Sequence, residues 1–393
     1  VKADTTDSSD ADLGHIYSPA VVDDGRSDKS SQIVKMNDGK WAVVMGNGYN
    51  STNERPVLVV HYLDGTTPVK ITPTCASSCP GFIGNGNGLS VPRLMDLNSD
   101  GKVDLAYAGD LQGNLWKFDL TGATSSSWTV AFSNTPYFVA KSSGNVRQPI
   151  VSAPYAMLHP RGGIMLAFGT GRNVTDTDPT TTATDTMWGV WDNSAITATA
   201  STVTIGVPPF SLGVINLGSD TTRPTALIQQ TPTVDRTDSD GKKFYDVSRN
   251  GVTYTSDATT KRGWYIDWPV AGLRVLHNTT LFSGERILVQ STVPQSGSVA
   301  AGETCTPTSL PEKTFISVLN IFSGNPSQSQ VFTPADATMP VTNLGIAQIN
   351  PGDFSRFTSA GKVRLIGTDR TNPPPILKTN EGFGSRTNWR EYQ

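Results

Sequence analysis

The segment GLSVPRLMDLNSDGKVDLAYAGDLQGNLWKFDL (88–120) decides how the chain is read. It opens on a Ser-x-Pro entry (Ser90–Pro92) and passes through an acidic, glycine-containing loop. A short apolar run, KVDLAYAGD (102–110), follows, then a Gly/Asn turn and a second apolar run, GNLWKFDLTG (113–122). Runs of β-branched and aromatic residues bounded by Gly, Asn and Asp are strand signals, and their short spacing predicts antiparallel pairs.

The same grammar recurs on both sides. Inner-strand candidates are KWAVVMGNG (40–48), GIMLAFGTG (163–171), ERILVQSTV (285–293) and KVRLIGTDR (362–370). Entries resembling 90–96 stand at 18–23, 152–158 and 230–236. Outer strands are predicted at 57–65, 186–193 and 315–324, with GWYIDWP (263–269) as a further closing strand. Gly46, Gly109 and Gly169 fall roughly 60 residues apart, the period of a blade of three or four strands. The expected fold is therefore all-β, a β-propeller with four clear blades and one or two degraded ones, a β-sandwich array being the structural alternative. Residues 1–393 are assigned to one propeller domain or most of it, with irregular insertions at about 123–147, 174–185 and 194–229. Trp41, Trp116, Trp188, Trp191, Trp264 and Trp268 are expected to seal the packing between blades.

Composition narrows the functional classes. Charged residues make up 17%, against roughly 25% in an average domain, and the net charge of -3 comes with no basic stripe. Nucleic-acid binding driven by phosphate contacts is thereby disfavoured. No run approaches the ~18 apolar residues of a membrane span, and no amphipathic helix separates the strands as an α/β fold would require.

The acidic loop carries the chemistry. Asp96, Asn98, Asp100 and Asp104 place side-chain oxygens at positions 1, 3, 5 and 9. Gly101 stands at position 6, and Lys102 at position 7 can contribute its carbonyl. That spacing is the Ca2+ loop of an EF-hand, where glycine permits the turn that wraps oxygen ligands around a hard cation. Position 12, glutamate in an EF-hand, is Tyr107 inside a predicted strand. The expected element is thus a calcium loop joining two strands of one blade and self-contained within it; the alternative is an acidic hairpin turn. DRTDSDGKKFYD (235–246) would set Arg236 at position 1 and is read as a turn.

Other candidates are weaker. GNGNG (84–88) and FGTGRN (168–173) lack the helix a phosphate-cradling loop must open, so both are read as turns. His15, His61, His159 and His277 are isolated in sequence, and neither a G-x-S-x-G nor an H-E-x-x-H motif is present. No enzymatic activity is expected. Cys75 and Cys79 lie in a Pro/Ser/Gly loop where a local disulfide can form, as in an oxidising compartment. Two reduced thiols, or half of a zinc site, are the other readings, and Cys305 is left over.

Several of these segments together resemble a known family. QIVKMNDGKWAVVMGNGYNS (32–51), the 88–120 segment, MLAFGTGRNVTDTD (165–178), RGWYIDWPVAGLRVLHN (262–278) and SRTNWRE (385–391) look like the C-terminal propeller of PilY/PilC-type tip proteins of type IV pili. The resemblance implies a modified propeller, seven-bladed in the intact family and incomplete here. It also implies calcium held by Asp96, Asn98, Asp100, the Lys102 carbonyl and Asp104. A fragment or processed form is expected, without the family's N-terminal blades and its von Willebrand factor A-like adhesive domain. The implied function is calcium-regulated pilus assembly, surface adhesion and twitching motility. Implied partners are minor pilins at the pilus tip and a host or abiotic surface. The implied location is the pilus tip or outer membrane of a Gram-negative cell, reached through the periplasm.

Two further readings stand beside this one: a lectin-like or generic protein-binding scaffold, and a quinoprotein dehydrogenase. The latter would stack its quinone on adjacent cysteines, and the chain has no Cys-Cys dipeptide.

Overall fold

A computed structural model describes residues 10–17, 20–22, 30–74, 86–206, 223, 226–255, 261–295, 312–328, 331–332 and 344–349, and the backbone of 356–359 and 362–365. Cys75, Cys79, Cys305 and the SRTNWRE segment lie outside the described residues. Among the described residues, four large sheets follow one another along the chain and none closes on itself.

In the first sheet, Ile33–Met36, Trp41–Gly46, Leu58–Tyr62 and Val69–Ile71 pair antiparallel in sequence order. The second comprises Arg93–Met95, Leu105–Gly109, Asn114–Asp119 and an edge made by Thr129–Val130 and Phe138–Val139. The third runs Tyr155–Leu158, Ile164–Gly169, Thr186–Asp192 and then Gly263–Asp267, which returns from far along the chain to pair with the preceding strand. The fourth has six strands, ordered Pro232–Thr237, Lys243–Val247, Ile346–Ile349, Lys313–Asn320, Arg286–Val293 and Thr280–Ser283. Hairpins form at Ile196–Ala198 with Val203–Ile205 and at Arg356–Ser359 with Lys362–Leu365.

Burial on both faces explains why the central strands read as continuous apolar runs. Successive side chains of a strand point to opposite faces. Ala106 and Ala108 accordingly pack with Ala42, Val44, Val60 and Trp116 in a core shared by the first and second sheets. Leu105 and Tyr107 face the other way, into a core with Leu166, Phe168 and Trp188 of the third sheet. A third core joins Met165, Ala167, Trp191 and Trp264 to Ile287, Val289 and Phe315 of the fourth. Each interior sheet is thus sandwiched between its neighbours, the packing of propeller blades.

The glycines that end the central strands serve the same contacts. A Cβ on Gly46 would meet the Ser90 carbonyl at 2.0 Å, and one on Gly109 or Gly169 would collide with Ile150 or Val275. Only glycine lets the next blade's entry segment come so close.

Two sequence-based expectations change. Trp41 is 54% exposed and seals nothing among the described residues, because it alternates with Ala42 and so faces away from the second sheet. The other five expected tryptophans are buried. The segment around 123–147 supplies the outer edge of the second sheet, turning through Phe132, Ser133 and Asn134 with left-handed φ of 56°, 55° and 63°. The turn expected within 235–246 is present, joining Pro232–Thr237 to Lys243–Val247: Asp238 Oδ1 accepts the amides of Asp240 and Lys242 (3.1 and 2.8 Å), and Gly241 takes φ 78°.

Candidate metal centre

Residues 96–104 leave the strand Arg93–Met95 and turn back through Lys102–Val103 into Leu105–Gly109. The turn is tight. Asp96 folds the loop around its own carboxylate, Oδ1 accepting the Ser99 amide (2.7 Å) and Oδ2 the Gly101 amide (2.8 Å). Ser99 and Gly101 both adopt left-handed φ, 62° and 83°, which at Gly101 costs nothing sterically. Asn98 Oδ1 accepts the Asp100 amide (3.2 Å), and Asp100 Oδ1 the Lys102 amide (2.9 Å). Asp104 closes the loop from its far end, with Oδ2 on the Leu97 amide (2.8 Å).

The expectation that the loop is self-contained within one blade is corrected here. Asn37, in the turn after the first strand of the first sheet, donates from Nδ2 to Asp104 Oδ1 (3.2 Å), the Val103 carbonyl (2.9 Å) and the Leu120 carbonyl (3.0 Å). Lys102–Val103 also pairs in parallel with Lys35 and Met36. Sequence reasoning passed over Asn37, whose only local signal is an Asn-Asp-Gly turn.

Electrostatics sort the three carboxylates. Burial pushes the Asp104 carboxyl upward, and the like charges of Asp96 and Asp100 add to this, partly offset by the Leu97 amide and Asn37. Only 2% of Asp104 is exposed. Burial also raises Asp100, but hydrogen bonds and the ion pair from Lys102 (2.8 Å) outweigh it, so its carboxyl sits below the ordinary range. Among the described residues no three Asp, Glu, His or Cys side chains form a ready-made cage. The five sequence-predicted positions do share one loop, and their oxygen-rich donor set suits a hard cation rather than a thiophilic one.

A second buried carboxylate organises the same blade. Asp110 accepts from the amides of Gln112 and Asn114, from Asn114 Nδ2, from Trp116 Nε1 and from Asn87 Nδ2, all at 2.8–3.1 Å. The segment GDLQGNLW is thus a turn built on one aspartate. Of GNGNG, read as a turn, Gly84 and Asn85 lie outside the described residues; Asn87 Oδ1 accepts the Leu111 amide (3.1 Å). Among the histidines, His159 stacks on Trp191 (4.5 Å between rings) with Tyr254 and Phe322 edge-on. Its Nδ1 accepts the Arg161 amide (3.2 Å), a packing role.

Radially stacked sheets with an acidic turn inside one blade define a β-propeller carrying a candidate cation loop. The family model of the PilY1 beta-propeller domain matches residues 9–209, and the chain belongs to that family. The type IV pilus biogenesis factor PilY1 of Pseudomonas aeruginosa strain PAO1 is 33% identical over 304 residues, covering 71% of this chain and 24% of the relative. A homolog from Xylella fastidiosa is 30% identical over 367 residues, covering 89% of this chain and 22% of the relative. The chain thus spans about a quarter of the length of these curated relatives. In fold it is similar to the crystal structure of the P. aeruginosa PilY1 C-terminal domain, with a TM-score of 0.67 and 24% identity, over 94% of this chain and 73% of that one.

Proposed function

We propose that this chain is the calcium-binding propeller of a type IV pilus biogenesis factor. It acts at the pilus tip or outer surface of a Gram-negative cell in pilus assembly and adhesion, as a binding and assembly module without enzymatic activity. Membership of the PilY1 propeller family supports the pilus role. The observation that carries the calcium reading is the loop at 96–104, where Asp104 is buried within reach of the charges of Asp96 and Asp100 and Lys102 makes its ion pair with Asp100.

Asp96, Asn98, Asp100, the Lys102 carbonyl and Asp104 would hold the ion, and calcium would supply the positive charge that relieves the repulsion among the aspartates. Asn37 and the parallel pairing of Lys102–Val103 would transmit loop order to the first blade. Through that contact, occupancy would bias the extension and retraction of pili and hence twitching. Minor pilins and the contacted surface are the proposed partners.

The test is pilus number and twitching in a strain whose full-length protein carries Asp104→Ala, with calcium binding to the purified propeller measured in parallel. Loss of both supports the reading. Loss of calcium binding with unchanged motility reduces the ion to a structural part, and unchanged binding removes it.

A further inference from the structure

A cleft opens at the opposite end of strand Leu105–Gly109 from the acidic loop, between the second and third sheets. It has a volume of about 580 Å3 and is lined by the Leu111 turn, the 142–149 connection and the 172–185 segment. That volume lies within the roughly 300–1,000 Å3 of small-molecule sites.

Its floor holds one buried acceptor with unmet demand, on Gln148, and a carboxylate beside it, Asp185, with one oxygen engaged. Gln148 is 4% exposed. Its Nε2 donates to the Thr184 carbonyl and Thr186 Oγ1 (both 2.9 Å), while Oε1 has no donor among the described residues. Beside it, Asp185 Oδ1 accepts from Thr170 Oγ1 (3.0 Å), and no donor among the described residues reaches its second oxygen. Burial pushes the Asp185 carboxyl up to about 6, only partly countered by Thr170 and Arg274. Leaving a buried acceptor unmade is costly, so a ligand hydroxyl donating to Gln148 Oε1 would recover that cost, and a second could use the open Asp185 oxygen.

The wall has the opposite character. Arg147 is half-buried and donates from one nitrogen to the Gln112 carbonyl and Asn114 Oδ1 (both 2.9 Å). No carboxylate among the described residues stands within ion-pair distance of it. Arg172, also on the lining, is already paired with Asp178 (3.0 Å). Two cations near the mouth disfavour an ammonium ligand for the acceptors below. Neutral hydroxyl donors suit the floor, and an anionic oxygen suits Arg147.

We infer that this cleft between the second and third sheets binds an acidic saccharide, ring hydroxyls donating to Gln148 Oε1 and Asp185 and a carboxylate resting on Arg147. The site is separate from the acidic loop, so its failure leaves the calcium reading standing.

The test is isothermal titration of the whole chain with a galacturonic acid trisaccharide and with its neutral galactose counterpart. The acidic trisaccharide is expected to bind saturably and the neutral one at least tenfold more weakly. Arg147→Gln and Gln148→Leu should each weaken the acidic ligand about tenfold. Because Arg147 also braces a turn, Ser143→Trp, on the exposed rim of the cleft, serves as a second variant. It should block binding while leaving the melting temperature unchanged. Absence of saturable binding, equal affinity for the neutral sugar, or undiminished binding in Ser143→Trp would each overturn the assignment.

Discussion

Replacing Lys117 with Met should be among the most damaging single changes at the contact between the second and third sheets. The Lys117 ammonium is wholly buried and lies 2.7 Å from Asp192, itself 1% exposed. Ser194 Oγ (3.0 Å) also accepts from it, the Phe132 ring lies 5.3 Å away, and Tyr107 donates its hydroxyl to the same Asp192 oxygen (2.7 Å). Asp192 is anionic in the fold: burial raises its carboxyl, but Lys117 and the Ser194 and Tyr107 hydroxyls outweigh that. Methionine fills the volume of the lysine stem, so the cost isolates the charge. Leaving one member of a buried pair unmatched costs about 3–5 kcal/mol. With an unfolding entropy of roughly 2.1 cal/mol/K per residue, that lowers the melting temperature of a chain this long by about 5 °C. Lys117→Met/Asp192→Leu, which removes both charges, should recover much of the loss. Differential scanning calorimetry of the wild type, both single variants and the pair measures this directly. A single variant melting within 1 °C of wild type, ~1 °C being about 0.8 kcal/mol on the same scale, would refute the pair as an inter-blade lock. So would strictly additive losses in the double variant.

Other outcomes follow from the same packing. His159 is held to a pKa of about 4 by burial, with Arg161 adding to it. Its unfolded value is higher, so stability is full above pH ~6.5 and falls as pH drops toward 4, by about 3 kcal/mol at 1.36 kcal/mol per unit. In His159→Phe, urea melts between pH 7 and 4 should lack that component. Gly109→Val should destabilise by several kcal/mol or prevent folding, since its Cβ would lie 2.2 Å from Ile150, and soluble yield with circular dichroism reads this. Trp41→Ser, at an exposed site, should change stability by no more than about 0.5 kcal/mol by chemical denaturation.

The strands were legible because each is short, apolar on both faces and punctuated by turn residues. Trp41–Gly46, Leu105–Gly109, Ile164–Gly169 and Arg286–Val293 lie within the segments read as inner strands. The loop at 96–104 was legible because its side chains and glycine fall at fixed local offsets. What escaped was non-local. Gly263–Asp267 joins the third sheet beside Thr186–Asp192, and Lys117 meets Asp192, across long stretches of chain whose local pattern carries no trace of the partner. Trp41 misled for a related reason: an aromatic in a strand announces a buried face only when it is known which neighbour covers it. Asn37 was missed because a one-residue bridge from an adjacent blade leaves no spacing to read.

Calcium titration of the purified chain, wild type against Asp96→Ala and Asp104→Ala, bears most directly on the proposed function. One saturable site is expected in the wild type and none in either variant. A site with Kd near 10 μM, typical of oxygen-ligand loops, would stabilise the fold by about 2.7 kcal/mol at a hundredfold excess of calcium. Thermal melts should therefore shift upward with calcium in the wild type alone. Equal calcium binding by all three proteins would contradict the assignment of the loop.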